Sequence, residues 1–228
     1  MKVMLFGGTG MVGQGALREC LLDPSIKEVV AITRSTVAQP IPTPSPKLRQ
    51  IIRKDLFDLD GLDDEFAAVD TCMFCLGVTS FRMKEDDYRH ITYDLTLSVA
   101  KRFVRVNPKV VFIYVSGAGT DSTGESKTMW ARVKGETEND LLALPLRAAF
   151  MFRPGGIVPQ HGIKSKTAVY QVFYSILKPI MPLFERFFPK YVTTTDQLGG
   201  AMLRLAKKGV AQEGPPRRVL ESVDIARM

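Results

Sequence analysis

A doubly wound α/β fold with a parallel sheet is what the sequence predicts, and three observations carry it. The chain opens on a short apolar run, Lys2 to Phe6, which leads into glycines at positions 7, 10 and 13 and then into an amphipathic stretch. Short β-branched and aromatic runs recur along the chain with helical patterns between them, the alternation of a βαβ architecture. The run Lys109 to Val115 is apolar almost throughout, as a central parallel strand covered on both faces requires. At 228 residues the chain fits one domain, 1–228, with a small C-terminal cap, and 159–195 is the expected cap or lid insertion.

The elements follow in order. Val12, Ala16, Leu17, Cys20 and Leu21 mark the buried face of the first helix, and Val29 to Thr33 reads as the second strand. The proline-rich QPIPTPSPK cannot hold a helix, so the usual crossover is cut short there. Leu48 to Arg53 is the expected third strand, Asp63 to Val69 a short helix, and Thr71 to Leu76 the fourth strand. Apolar residues at Tyr88, Ile91, Leu95, Val99 and Phe103 predict a helix laid on the sheet, stopped by Asn107 and Pro108, with Glu85, Asp86 and Asp87 acting on its dipole. A helix over Trp130 to Leu144, a strand over Arg147 to Phe152, a helix carrying Leu198, Ala201, Met202, Leu205 and Ala206, and an edge strand near Arg218 to Ser222 complete the reading. The apolar segment Ala168 to Phe188 is broken by Lys178, Glu185, Arg186 and prolines, which excludes a transmembrane span. Packing on the domain is its expected role, with peripheral membrane contact and a homodimer face left open.

Composition excludes several classes. The net charge of +7 is spread over scattered pairs such as Arg53 and Lys54 or Lys207 and Lys208, so a solvated basic surface is expected and nucleic-acid binding is not. Three cysteines do not make a disulfide framework, and Cys72 and Cys75, three apart in a strand, read as core. His90 and His161 lack ligand spacing, so no metal site is expected. Because Met1 lies so close to the first strand, no leader is expected and the cytosol is the predicted location.

Glycines at this spacing, after a strand and before a helix, let a dinucleotide pyrophosphate approach the backbone at the positive end of the helix. Gly7, Thr9, Gly10, Met11, Val12 and Gly13 are the expected contact set. The end of the second strand then decides the cofactor. An acidic residue there would hold the ribose hydroxyls of NAD, but the chain reads TRS, and no acid stands between Glu28 and Asp55. Arg34 with Ser35 suits a 2′-phosphate, a contact worth about 1.5–3 kcal/mol, so NADP(H) is expected.

The order of these motifs resembles the short-chain dehydrogenase/reductase superfamily in its extended and atypical branches, over nearly the whole chain. CLGVT, VSGAGT, WARVKGETE and FRPGGIV are most similar to the Tat-interacting-protein type and its bacterial epimerase-like relatives. The resemblance implies that Asp55 and Leu56 of KDLFD meet the adenine, that Leu76 and Gly77 line its ribose side, and that Pro154, Gly155 and Ile157 meet the nicotinamide amide. It also implies a catalytic role for Ser116 and for Lys134, which together orient a substrate oxygen and the nicotinamide ribose. The family's acid is a tyrosine four residues before that lysine, and here the slot holds Trp130. Indole N–H has no acid–base chemistry in the accessible range. Three readings follow: a proton from Tyr170 or Tyr174, a hydride acceptor such as a flavin, quinone or tetrapyrrole protonated by solvent, or NADP(H) binding without turnover in a regulator that works through protein partners. His161 is the outside candidate for a catalytic group beside the nicotinamide. The leading expectation is an NADP(H)-dependent oxidoreductase of unassigned small-molecule substrate.

Overall fold

The computed structural model describes residues 1–163, 192–211 and 218–228. Their main sheet has seven parallel strands in the order β3-β2-β1-β4-β5-β6-β9. These are β1 (Lys2–Phe6), β2 (Glu28–Thr33), β3 (Leu48–Ile52), β4 (Thr71–Phe74), β5 (Val111–Val115), β6 (Ala148–Arg153) and β9 (Val219–Glu221). β1 pairs with β2 on one side and β4 on the other, so the winding reverses there and the loops diverge at the carboxyl ends of β1 and β4. Such a reversal opens a crevice, and that crevice is where the site lies.

Alternation in β1 feeds both layers. Val3 and Leu5 pack with Leu17 of α1 (Met11–Leu22) and with Ala201 and Met202 of α6 (Thr195–Ala211). Met4 and Phe6 face the other way, into a layer with Phe66 of α2 (Asp63–Ala67), Phe103 of α4 (Leu95–Val106) and Leu141 of α5 (Met129–Ala143). All four β1 side chains are fully buried, as a parallel strand covered twice requires.

Several expected boundaries move. The predicted fourth strand stops at Phe74: the Cys75 amide still donates to the Phe6 carbonyl at 3.0 Å, and the Cys75–Leu76 backbone then packs against Gly7. The long helix begins earlier than predicted, at α3 (Glu85–Arg89), and reaches α4 through a π turn over His90–Asp94. A second, two-stranded parallel sheet, β7 (Gly156–Val158) with β8 (Val192–Thr194), was not anticipated. No helix or strand spans 34–47, in keeping with its prolines. A short α7 (Ser222–Ala226) ends the described chain. Most of the expected cap at 159–195, including Tyr170, Tyr174 and the apolar segment, lies outside the described residues.

Candidate cofactor and substrate cleft

The turn after β1 is shaped by contacts that admit no side chain. Gly7 has φ of +81°, and a Cβ there would fall 2.5 Å from the amide nitrogen of Leu76. A Cβ on Gly13 would fall 2.2 Å from the Gly7 carbonyl oxygen. The Gly10 amide donates to the Gly7 carbonyl at 2.9 Å, closing the turn, and Gly10 caps α1 in extended geometry without a side-chain cap. The first-turn amides of Met11, Val12 and Gly13 therefore lack partners within the helix, and that turn contains no acid. Gln14 ties the loop down, donating to Gly8 at 2.7 Å and Ala38 at 3.1 Å.

A cleft of about 690 Å³ extends from this turn across the sheet's carboxyl edge. At one end stand Arg34 and Ser35, which the Thr33 hydroxyl fixes by donating to the Ser35 carbonyl at 2.8 Å. Arg34 is exposed and makes no ion pair with any described residue. Among the described residues no aspartate or glutamate lines the cleft. Leu56, Leu76 and Gly77 form its middle, and Pro154, Gly155 and Ile157 its far wall beside Ser116, Trp130 and Lys134. The structure thus gathers most of the expected residues in one cavity.

Three are placed elsewhere. Gly13 supports the turn from behind. Asp55 is exposed and accepts the Phe57 amide at 2.9 Å, a local turn bond, while its neighbour Leu56 lines the cleft instead. His161 is also exposed, with φ of +53°. It pairs with Asp196 at 2.6 Å and is outside the lining.

The Ser116 end of the cleft contains a network that the sequence reading missed. Ser116, at the end of β5, donates to the Glu138 carboxylate on α5 and lies 3.1 Å from the Phe152 carbonyl. Glu138 is fully buried and is paired by Arg153, whose Nε lies 3.0 and 3.1 Å from its two oxygens. Lys134, one helical turn before Glu138, donates to the Ser116 carbonyl. Burial lowers the Lys134 pKa to about 8, and the nearby Glu138 charge offsets only part of that cost. Trp130 covers Gly119, where a Cβ would lie 3.3 Å from the indole.

Two further cleft residues had been read as core only. Tyr88 is buried, lines the cleft beside Thr92, and has its phenol pKa raised by desolvation. Cys75 also lines it, and burial pushes its thiol, like that of Cys72, well above the usual range. Among the described residues no cluster of His, Cys, Asp or Glu could hold a metal, and no helix is long and apolar enough to cross a membrane.

Known proteins match this chain in both sequence and fold. It is 31% identical over 167 residues to the mitochondrial protein fmp52 of Emericella nidulans, covering 70% of this chain and 68% of that protein. No protein-family model matches. Bordetella bronchiseptica WbmG in complex with NAD aligns with a TM-score of 0.65 at 16% identity, covering 96% of this chain and 71% of that one. A short-chain dehydrogenase family protein of Francisella tularensis gives 0.63 at 14%, covering 92% of both chains. The fold is therefore that of the short-chain dehydrogenase and epimerase superfamily. The expected cytosolic location is corrected, since the fmp52 relatives, including those of Candida albicans and Kluyveromyces lactis, are named as mitochondrial proteins.

Proposed function

The chain belongs to the FMP52 family, and from that premise we propose that it is a mitochondrial NADP(H)-dependent oxidoreductase acting without the superfamily's tyrosine. One observation carries the reading: a single cleft joins the uncapped first turn of α1, an arginine at the end of β2 with no ion-pair partner among the described residues, and the Ser116–Trp130–Lys134 group. The first turn provides amides and a positive helix end for a pyrophosphate. Its small residues leave room for close approach, so the chain fits a dinucleotide. Arg34, in a cleft with no carboxylate among its described lining residues, favours the 2′-phosphate and thus NADP(H) over NAD(H).

When bound, the cofactor supplies or accepts a hydride. The chain's own groups do the rest. Lys134 holds a positive charge near the far wall, and Pro154, Gly155 and Ile157 offer backbone to an amide. Trp130 closes the position from which the superfamily delivers a proton. That proton must come from solvent or another group, and among described tyrosines only Tyr88 lines the cleft.

Calorimetric titration with NADPH and NADH, then NADPH oxidation with flavins, quinones and aldehydes, tests the reading. We expect tighter binding of NADPH and turnover with at least one class. Equal or tighter NADH binding would refute the cofactor assignment, and tight NADPH binding with no turnover would replace the enzyme by a regulator.

A further inference from the structure

With Trp130 in the tyrosine's place, a substrate oxygen on a carbon that accepts a hydride needs its proton from another group. Ser116 is only 6% exposed, and its hydroxyl is engaged on the buried side, by the Glu138 carboxylate and the Phe152 carbonyl. It serves the fold. Tyr88 is 2% exposed, and desolvation raises its phenol pKa, which makes it a weaker acid. Lys134 differs from both. Its ammonium has three protons, and among the described residues only the Ser116 carbonyl takes one. A second proton can go to a ribose hydroxyl and still leave the third. There is also room beside it: a Cβ built on Gly117 would lie 3.8 Å from Nζ and 3.9 Å from the Pro154 carbonyl oxygen, and nothing else described beyond its chain neighbours comes within 4 Å. Gly117, Lys134 and Pro154 all line the cleft.

We propose that Lys134 is a catalytic residue, the acid that protonates the oxygen of an aldehyde or ketone seated beside its ammonium in the open position over Gly117. The proton transfer rests on the oxidoreductase reading; the free ammonium proton does not. As the carbonyl carbon gains a hydride with its electron pair from the dihydronicotinamide, the C=O π pair moves to oxygen. An Nζ–H bond breaks, its proton forms the new O–H bond, and the neutral amine is reprotonated by solvent. Burial favours this direction, since an ammonium whose pKa falls to about 8 gives up its proton more readily than one in water and is still charged at neutral pH. A quinol or reduced flavin leaves as a weak base, whereas an alkoxide is too basic to form without a proton. An acid at this place therefore points to aldehydes and ketones.

Neutron diffraction from deuterium-exchanged crystals of the protein with NADP⁺ at neutral pH reads the ammonium whether or not any substrate is turned over. A charged Lys134 with one deuteron on the Ser116 carbonyl and another aimed at the open position supports the proposal. A neutral amine, or three deuterons all held by the protein and the cofactor, overturns it. Turnover is measured with NADPH and hexanal, benzaldehyde or cyclohexanone. Lys134→Ala should lower kcat by about 10²- to 10⁴-fold, and added primary amines should restore it, the more acidic ammonium ion giving the larger rescue at equal concentration. Rescue that ignores acidity overturns the proposal, and so does a Lys134→Arg variant with wild-type kcat, because arginine keeps the charge without a releasable proton. If Lys134→Ala fails to fold, the arginine variant and the wild-type deuterons decide. Turnover of quinones or flavins alone overturns the lysine's role and leaves the oxidoreductase reading standing, whereas tight NADPH binding with no turnover at all refutes both.

Discussion

On the proposed function Arg34 and Lys134 act on opposite ends of one cofactor, and each makes a prediction of its own. Among the described residues Arg34 has no carboxylate partner to release, so a 2′-phosphate contact is gained almost whole. Arg34→Ala should weaken NADPH binding by about 10- to 100-fold and leave NADH within about twofold. Equal losses for both cofactors, read by calorimetry, would reassign Arg34 to adenine stacking. Lys134 titrates near 8, so it loses charge as pH rises through that value. NADPH affinity should therefore fall above about pH 8 in the wild type, and Lys134→Met should flatten that part of the profile. The stability effect has the opposite sign. The folded pKa is below the unfolded value of 10.5, so the folded state binds fewer protons between about 8 and 10.5, and this group's contribution improves as pH rises across that window. The difference between wild-type and Lys134→Met unfolding curves reads it. Arg34 was legible in the sequence because it follows its strand directly and needs no partner. Glu138 was not, since its role exists only once Arg153 and Ser116, from β6 and β5, converge on it.

At the scale of elements, Gly10 and Gly15, at the start and in the middle of α1, separate into one that leaves room for a ligand and one that holds the fold. A Cβ on Gly15 would lie 2.7 Å from the Thr195 carbonyl oxygen, where α1 packs on α6. A Cβ on Gly10 meets only the Gly7 carbonyl, at 3.4 Å, and otherwise enters open cleft. Gly15→Ala should cost about 1–3 kcal/mol of stability by overpacking, with NADPH affinity of the folded protein unchanged. Gly10→Ala should leave the melting temperature within about 2 °C while weakening NADPH at least tenfold, because its methyl crowds the amides that a pyrophosphate needs. A loss of stability for Gly10→Ala with unaltered affinity would sink the cradle assignment. The strands of the main sheet were readable because their apolar runs are local. The β7–β8 pair was not, for three-residue strands gain identity only from their partner, and Gly156 pairs with Val192 across a long connection. The π turn inside the long helix likewise leaves no mark on apolar spacing that a straight helix would lack.

Across the whole molecule, the far edge of the sheet and the cleft depend on each other through the last described residues. β9 covers the β6 edge, and the Met151 amide donates to the Arg218 carbonyl at 2.7 Å. Leu220 and Ile225 are buried in the core that also holds Val3 and Ile113. The Ser222 hydroxyl accepts the Gly155 amide at 2.6 Å, which fixes one wall of the cleft. Deleting 218–228 removes two buried apolar side chains, Leu220 and Ile225, worth about 1.5–3 kcal/mol each, a large part of the 5–15 kcal/mol that holds typical domains together. That deletion should bring the denaturant midpoint down steeply and abolish NADPH binding, but it cannot tell a lost wall from a lost fold. Ser222→Ala can, because it keeps every apolar contact and frees only the Gly155 amide. Its stability cost should be about 1 kcal/mol, while NADPH affinity falls several-fold more than NADPH affinity falls in Arg218→Ala, a change at the same edge remote from the cleft. Equal affinities in the two variants, by fluorescence titration at fixed salt, would show that the C-terminal edge stabilises the sheet without shaping the cofactor site.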